Sequence, residues 1–360
     1  MKTQLVHKFE DVISVENLLE AWKEFIRGKK HKRDVGEFSL RLMDNIMSLH
    51  NDLFNHTYKH GGYQAFKIND PKPRDIHKAS VRDRLLHHAI YRILYPFFDK
   101  TFIPDSYSCR LNKGTHKAVN KFREFVRKSS KNKIRTCWAL KCDIRKIFAN
   151  IDHKILIRIL REYIPDENII WLLENVTGSF TSPRPLLGKE KGNATIGLPL
   201  GNLTSQLFVN IYMNKFDQFV KHKLKANYFI RYADDFIIFS ENKKWLEKQI
   251  GLIRKFLRYE LKLELHPDKI FIKTVASGID FLGMINFSDY RVLRTKTKRR
   301  MFKKINKKQE TWQGGLISEE SFNQSLQSYF GMLKHCNGYK TEKRLYGALM
   351  DCGSEATMTN

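Results

Sequence analysis

Two adjacent aspartates interrupt an apolar stretch of the chain, FIRYADDFIIFS at residues 229–240. The apolar arms resemble strands, and Ala-Asp-Asp stands between them, which predicts a β-hairpin. Aspartate is a common turn residue, so such a pair alone would more often be a turn than a site. Here the arms shield both charges from water, and an unpaired buried charge is costly. The pair therefore must shift its pKa values or bind a cation, and a divalent metal ion is the simplest solution.

A third carboxylate ends another apolar strand. Trp138, Leu140 and Cys142 alternate as strand residues do, and Asp143 follows where the strand stops. The 91 residues from Asp143 to Asp234 leave room for intervening helices, so both strands can lie in one sheet with their acidic ends together. Oxygen ligands favour Mg²⁺, with Mn²⁺ as an alternative, and two such ions are the usual device for phosphoryl transfer.

The charge of the chain indicates a polyanionic partner. Lys and Arg total 65 against 38 Asp and Glu, a net charge of +27, which favours nucleic acid or an anionic membrane. No apolar run reaches the roughly 18–20 residues that span a bilayer, and the first residues lack the apolar core of a signal peptide. We therefore expect RNA or DNA and no membrane. A basic chain with acidic metal ligands suggests a polymerase or a nuclease.

Cysteine usage predicts a reducing compartment, and so a cytoplasmic protein. The five cysteines form no CxxC pair and have no histidine at zinc spacing. Cys137 and Cys142 are interpreted as small buried residues. With 360 residues and 42% hydrophobic content, the chain can build a sizeable core in two or three subdomains.

Three segments resemble the catalytic motifs of reverse transcriptases: YADD at 232–235, LKCDIRKIF at 140–148 and GLPLGNLTSQ at 197–206. Four further segments follow the same order in that family, and the resemblance covers about residues 60–335. They are KPRDIHKASVRDRLLHHAIY at 72–91, FIPDSYSCRLNKGTHKAV at 102–119, LELHPDK at 263–269 and GIDFLGM at 278–284.

The resemblance implies an α+β right-hand polymerase with fingers, a palm built on an antiparallel sheet, and a helical thumb. We expect an N-terminal helical extension at 1–60, fingers at 61–135 and a thumb with tail at 291–360. The palm is expected at 136–155 and 196–290, with a helix and loop inserted at 156–195.

The resemblance also assigns the catalytic residues. Asp143, Asp234 and Asp235 would hold two Mg²⁺ ions with the backbone carbonyl of Ile144, and Lys269 would protonate the leaving pyrophosphate. Asp152, by contrast, precedes an apolar helical segment and is interpreted as a helix N-cap.

The same resemblance assigns residues that would contact the incoming nucleotide and the nucleic acid. Phe148 would act as a gate against the ribose 2′-hydroxyl and so favour dNTPs, although packing in the core is the alternative. The residues expected to bind the dNTP are Lys72, Arg74, Arg110, Phe148, Leu200 and Gly201. Those expected at the primer and template are Tyr232, Gln206 and Gly283.

Two departures from the family pattern indicate a subgroup. Leu200-Gly201 stands where most relatives have Gln-Gly, and Ser205-Gln206 where they have Ser-Pro. Both resemble the enzymes of diversity-generating retroelements, as do NDPKPRDI at 69–76, GTHKAV at 114–119 and SLQSYFGMLKHCN at 325–337. The resemblance implies errors at template adenines, a structured template RNA, an RNA/cDNA duplex and a small basic oligomeric accessory protein.

Leu200 is the residue to which we attribute low fidelity. Losing a glutamine amide removes one or two hydrogen bonds, each worth about 0.5–1.5 kcal/mol, which is roughly a tenfold loss of discrimination per bond. Simple packing of Leu200 is the alternative.

Other functions remain open from the sequence. A defence-associated bacterial reverse transcriptase would use the same chemistry on a non-coding RNA, and a non-catalytic RNA-binding protein could retain the fold. An RNA-dependent RNA polymerase shares the palm and metals, but Phe148 argues against it. A nuclease would leave the ordered fingers motifs unexplained.

Overall fold

The computed structural model describes residues 3–69, 73–182 and 195–354, and the side chains up to residue 346. Lys72 and residues 183–194 of the predicted inserted helix and loop lie outside these ranges. The chain divides into two compact units. The first comprises Met1–Asn112, Cys142–Phe236 and Lys248–Ile270, and the second comprises Lys113–Lys141, Ile237–Glu247 and Phe271–Asn360. Within the described residues, no helix is both long and apolar enough to span a membrane.

Helices make up most of the described chain. They are α1 (Phe9–Ile13), α2 (Val15–Phe25), α3 (Arg33–Leu40), α4 (Leu42–Phe54), α5 (Val81–Asp99), α6 (Thr115–Ser129), α7 (Ile147–Asn150), α8 (His153–Arg161), α9 (Glu167–Gly178), α10 (Leu203–Gln218), α11 (Lys243–Glu260), α12 (Thr295–Gln313), α13 (Glu319–Leu333) and α14 (Tyr339–Ser354). A π-helical turn at Phe219–Lys223 extends α10, and 3₁₀ turns occupy Pro267–Lys269 and Val275–Ser277.

The strands form three sheets. They are β1 (Tyr63–Ile68), β2 (Arg74–Ala79), β3 (Trp138–Asp143), β4 (Phe229–Tyr232), β5 (Asp235–Ser240), β6 (Phe271–Thr274), β7 (Ile279–Phe281), β8 (Met284–Asn286) and β9 (Arg291–Leu293). β1 and β2 pair alone, β7–β8–β9 is an antiparallel meander, and the central sheet has the order β4–β5–β3–β6. β3 and β6 are antiparallel, from Trp138 opposite Thr274 to Lys141 opposite Phe271.

In the first unit, helix α10 lies at the centre of the packing. Its residues Leu207–Asn214 are all buried, so this stretch has no solvent-exposed face, as expected for a helix surrounded by protein. It packs against α5 and α8, and α5 packs in turn against α2. Asn17 on α2 donates to the Ala89 carbonyl at 3.2 Å, which satisfies a polar side chain inside this contact.

The second unit has its own apolar contacts. Phe122 on α6 meets Phe239 edge-on with ring centroids 4.8 Å apart, and it also packs near Phe281 on β7. A separate cluster, which includes Met301, Ile305, Phe322 and Phe330, joins α12 to α13.

Most predicted elements are confirmed. The 229–240 hairpin, the strand ending at Asp143 and the helices before residue 60 form, and helices occupy most of residues 295–354 within the predicted helical last 70 residues. Cys137 and Cys142 are buried thiols, and Asp152 caps α8 by accepting from the Ile155 amide at 3.1 Å. Strand β1 was not anticipated, and β9 falls just inside the predicted thumb. The fingers, palm and thumb boundaries stay a prediction.

Candidate active site

A buried arginine stabilises the turn between β4 and β5. Arg231, on β4, is 1% exposed and pairs with Asp217 of α10 through two bonds of 2.6 Å. Its Nη1 also donates to the carbonyl of Ala233 at 3.2 Å. Ala233 has a φ of 54°, which an L-residue adopts at a cost. The guanidinium therefore stabilises a strained turn that places Asp234 at its tip.

Backbone hydrogen bonds bring three segments to this turn. The amide of Ile144 donates to the Asp234 carbonyl at 2.9 Å, and the amide of His266 donates to the Asp143 carbonyl at 2.7 Å. The end of β3 is thus fixed between the hairpin turn and the segment that leads to Lys269. Asp143 and Asp234, predicted to meet from positions far apart in the sequence, are brought together.

The electrostatics reflect this convergence. Burial, and then the charge of Asp143, raise the pKa of Asp234 above its usual value, while Lys269 and Arg74 oppose the rise. The Lys269 ammonium lies 2.9 Å from Asp143 Oδ2. Two carboxylates and two cations therefore share one small region, and each cation partly offsets the repulsion between the carboxylates.

The donor set of this region fits a hard divalent cation. Asp143 and Asp234 supply carboxylate oxygens, which Mg²⁺ prefers, and Mg²⁺ is commonly held by one or two carboxylates together with substrate phosphates. Across the described ranges, no set of three or more His, Cys, Asp or Glu side chains is placed to hold a metal ion. Asp235 follows directly as the first residue of β5, and the three-carboxylate set stays a prediction.

The two arginines predicted to hold the triphosphate have opposite surroundings. Arg74 begins β2, is exposed, and its charge reaches Asp234. The Arg110 side chain is 5% exposed, and its Nε donates to Asp99 Oδ1 at 2.7 Å. Its Nη1 donates to the carbonyls of Ile103 and Ser106 at 2.7 and 3.0 Å.

Arg110 therefore organises a loop in this structure rather than presenting a free guanidinium. The loop runs beside β4: the Arg231 amide donates to the Asp105 carbonyl at 3.0 Å, and the Tyr107 amide donates to the Arg231 carbonyl at 2.9 Å. The contact between Arg110 and the triphosphate stays a prediction; in this structure the donors of Arg110 are engaged by Asp99, Ile103 and Ser106.

The GLPLGN loop joins strand β2 to the region of Phe148. The amide of His77 donates to the Leu200 carbonyl at 2.9 Å, and the amide of Leu198 donates to the Phe148 carbonyl at 2.7 Å. Gly201 has a φ of 109°, and a Cβ there would lie 2.9 Å from Ile76 Cγ2. Glycine is therefore required both for the backbone conformation and for the close approach of β2.

The remaining predicted residues take the following positions. Tyr232 ends β4, and Gln206 lies on the first turn of α10, and both are partly buried. Gly283 lies in the turn between β7 and β8 of the second unit, with a φ of 82°. Phe148 and Leu200 are half-buried. Their roles at the nucleotide, primer and template stay predictions.

The sequence reasoning missed the Arg231–Asp217 pair. A signal was present, since Arg231 is a charge inside the apolar strand FIRY and Asp217 lies among apolar residues on a helix. Charges that interrupt buried periodicity at two positions indicate an internal ion pair.

The family model described as reverse transcriptase (RNA-dependent DNA polymerase) matches residues 67–286. The chain belongs to the reverse transcriptase family. This membership and the observed mixture of helices and antiparallel strands confirm the α+β right-hand polymerase fold class.

Curated relatives of this reverse transcriptase are distant in sequence. Protein YkfC of Escherichia coli (strain K12) is 24% identical over 262 residues, covering 63% of this chain and 65% of that protein. The group II intron-encoded protein LtrA of Lactococcus lactis subsp. cremoris is 25% identical over 300 residues, covering 65% of this chain and 47% of that protein. The chain thus spans less than two thirds of the length of either relative.

Among solved structures, the chain is similar to a telomerase from Candida albicans in complex with a TWJ fragment of telomeric RNA. The match covers 66% of this chain and 46% of that chain, at 14% identity and a TM-score of 0.48.

Proposed function

We propose that this reverse transcriptase is an RNA-directed DNA polymerase that transfers nucleotides at the Asp143–Asp234 pair. The observation that carries the proposal is the convergence of these two partly buried carboxylates with Lys269 and Arg74. Membership of the family supports the chemistry.

Two Mg²⁺ ions, or Mn²⁺ in their place, would be held by Asp143 and Asp234, with the carbonyl of Ile144 and the neighbouring Asp235 as further oxygens. When bound, such ions activate the attacking hydroxyl and stabilise the charge of the leaving group. The burial that raises the pKa of Asp234 disfavours its unpaired charge, and a bound cation would offset this cost.

The side chains of the chain would position the dNTP and move the proton. Arg74 is exposed beside the acidic pair and can bind phosphate oxygens as a guanidinium fork, with Lys72 as a predicted assistant. Lys269 is 43% exposed, so its ammonium can turn from Asp143 towards pyrophosphate and donate a proton. Phe148, beside the GLPLGN loop, would exclude a ribose 2′-hydroxyl.

A structured template RNA and the RNA/cDNA duplex are the proposed partners. Helix α12 carries the sequence TKTKRRMFKKINKK, whose lysines and arginines would meet phosphates of the duplex. Tyr232, Gln206 and Gly283 would contact the primer and template. A cytoplasmic location stays a prediction.

We further propose that the enzyme is error-prone at template adenines, as in diversity-generating retroelements, with a small basic oligomeric accessory protein as partner. The support is the Leu200-Gly201 and Ser205-Gln206 pattern. The defence-associated reverse transcriptase is the alternative, and the genes beside this one would separate the two roles.

The polymerase proposal is tested by primer extension on an RNA template with Mg²⁺. We expect Asp143→Asn and Asp234→Asn to lower the rate at least about a thousandfold, because several kcal/mol of charge stabilisation is lost. Asp268→Asn is the matched control, since its side chain is 87% exposed. Normal extension by Asp234→Asn would contradict the proposal.

The same assay separates the competing functions. Incorporation of NTPs as fast as dNTPs would indicate an RNA polymerase, and RNA binding without any extension by the unaltered chain would indicate a non-catalytic protein. Chelation of the metal with EDTA should stop extension, and adding back Mg²⁺ should restore it.

The fidelity proposal is tested by sequencing cDNA made by Leu200→Gln. We expect misincorporation opposite adenine to fall about tenfold, since the new amide can restore one hydrogen bond near the nucleotide. Leu200→Met, which keeps an apolar side chain of similar volume, is the control and should keep the parental error spectrum. If Leu200→Gln also keeps that spectrum, packing is the role of Leu200.

A further inference from the structure

A cavity of about 470 Å³ in the second unit is lined by helix α6 and by the turn between β8 and β9. Arg123 and Arg127 lie one helical turn apart on α6, and Arg291 begins β9. None of the residues that line the cavity belongs to the proposed nucleotidyl-transfer site. The cavity therefore needs its own explanation.

The three arginines line one cavity, and the charge of Arg123 reaches Arg291. Arg291 Nη2 donates to Asn120 Oδ1 at 2.7 Å, a neutral acceptor that fixes the direction of the guanidinium. Burial, and then the like charge of Arg123, hold the pKa of Arg291 below its usual value, while Cys336 opposes. Holding like charges this close has a cost that a bound anion would remove.

The carboxylates at the cavity are engaged by lysines. Glu124 accepts from Lys121 at 2.9 Å and from Lys128 at 2.7 Å, and Asp289 pairs with Lys133. Among the ion pairs of the described residues, none includes Arg123, Arg127 or Arg291. The cavity is therefore electropositive, and its charge resides in guanidinium groups.

The lining indicates phosphate rather than a whole nucleotide. Guanidinium forks match the geometry of phosphate oxygens. Val126 is the apolar side chain of the lining and no aromatic ring is part of it, whereas pockets for small organic ligands are mostly apolar. Arg123 and Arg127 are exposed, so a strand that passes over the surface can reach them.

Within the second unit, this cavity lies apart from Gly283, the residue predicted to contact the primer. Gly283 lies in the turn before β8, and the cavity residues lie in the turn after it, so the two turns are at opposite ends of one strand. About 13 Å of extended chain joins Gly283 to Phe287. A strand bound in the cavity would thus lie away from the Gly283 turn.

The geometry points to a second nucleic-acid site: the Arg123–Arg127–Arg291 cavity binds backbone phosphates of an RNA strand outside the region being copied. Exposed arginines are more often simply solvated, and a chain of net charge +27 has many of them. The distinguishing feature here is that three guanidinium groups, one of them partly buried, converge on one cavity.

The test is equilibrium binding of a short unstructured labelled RNA to the full chain over about 50–200 mM KCl. We expect Arg123→Gln/Arg127→Gln to weaken binding at least about tenfold and to lower the slope of log K against log salt by about 1.4, or 0.7 for each lost single-strand contact. Lys117→Gln/Lys131→Gln, which removes two exposed charges outside the cavity, is the control. An equal loss in the control would overturn the proposal.

Further measurements identify the ligand and check that the variants fold and that the two proposals can be told apart. Unlabelled RNA should displace the label, whereas dATP at equal phosphate concentration should not; equal displacement would indicate a free-nucleotide site and overturn the proposal. Urea unfolding of the double variant should match the parent, because Arg123 and Arg127 are exposed. Asp234→Asn should keep the parental salt slope, so failure of the polymerase proposal is distinguishable from failure of this one.

Discussion

The turn that carries Asp234 and the strand that carries Arg74 are held in opposite ways. At the turn, Phe229, Ile230 and Arg231 are all buried, and the Arg231–Asp217 pair is closed off from water at 1% and 0% exposure. The position of Asp234 is thus fixed by charge-assisted bonds inside the core, where they are strong.

The β1–β2 hairpin, by contrast, lies largely in solvent. Gln64 to Ile68 of β1 are exposed, as are Arg74 and Asp75 of β2. Its contacts with the GLPLGN loop include the Leu200–His77 backbone bond and one from Asn202 Nδ2 to the His77 carbonyl at 3.0 Å.

The buried turn and the exposed hairpin suit two different requirements of polymerisation. The carboxylates must keep one geometry through every cycle, because a small displacement of reacting groups slows the chemistry greatly. The arm proposed to bind the triphosphate must admit and release a substrate at each step, which a lightly anchored, solvent-exposed strand permits. We therefore expect changes at the turn to affect stability and rate, and changes at the hairpin to affect nucleotide affinity.

The largest effect is expected at Arg231. Arg231→Met leaves Asp217 buried without its partner, which should lower the free energy of unfolding by about 3–5 kcal/mol, measured by urea unfolding. The double variant Arg231→Met/Asp217→Leu should recover most of that stability, because apolar residues can replace a buried ion pair. Its extension rate should stay at least about tenfold low, since the Ala233 carbonyl has lost its donor. Full activity in the double variant would reduce Arg231 to a folding role.

The sequence predicted the two carboxylates of the site, but not the Arg231–Asp217 pair that stabilises the turn carrying Asp234. Apolar alternation before Asp143 and the apolar arms on either side of Asp234 were sufficient to place one at a strand end and the other in a hairpin turn, and the cost of burying charge implied that they meet. The partner of Arg231 could not be chosen, because the pairing of α10 with β4 depends on tertiary packing. Strand β1 escaped notice because both of its faces are exposed, so YQAFKI carries no alternation of buried positions.

The surroundings of Arg74 and Arg110 were likewise not predictable from the sequence. Both are arginines in matched motifs, and nothing in the spacing distinguishes a guanidinium that faces the acidic pair from one enclosed by carbonyls. The surroundings differ because Arg110 follows the loop 103–107, whose carbonyls need buried donors.

The second prediction compares these arginines directly. Arg74→Ala should raise the KM for dNTPs about 10- to 100-fold, the loss of one or two charged hydrogen bonds, and leave urea stability unchanged because the side chain is exposed. Arg110→Ala should lower stability by about 2–4 kcal/mol, since the carbonyls of Ile103 and Ser106 lose their donor, and leave the KM of the folded enzyme near the parental value. The reverse pattern would support Arg110 as the triphosphate ligand.

The smallest effect is expected where the hairpin meets the GLPLGN loop. Gly201→Ala forces a side chain into a φ of 109° and places its Cβ 2.9 Å from Ile76 Cγ2, so loop and strand must separate at a cost of about 1–3 kcal/mol. We expect the KM for dNTPs to rise several-fold, with kcat nearly unchanged because the Asp143–Asp234 pair is not touched. Adding Ile76→Leu removes the Cγ2 methyl and should recover the steric part of the loss, but not the part due to φ. A kcat that falls while the KM holds would mean that the loop supports the carboxylates rather than the hairpin, and the contrast between the two regions would be wrong.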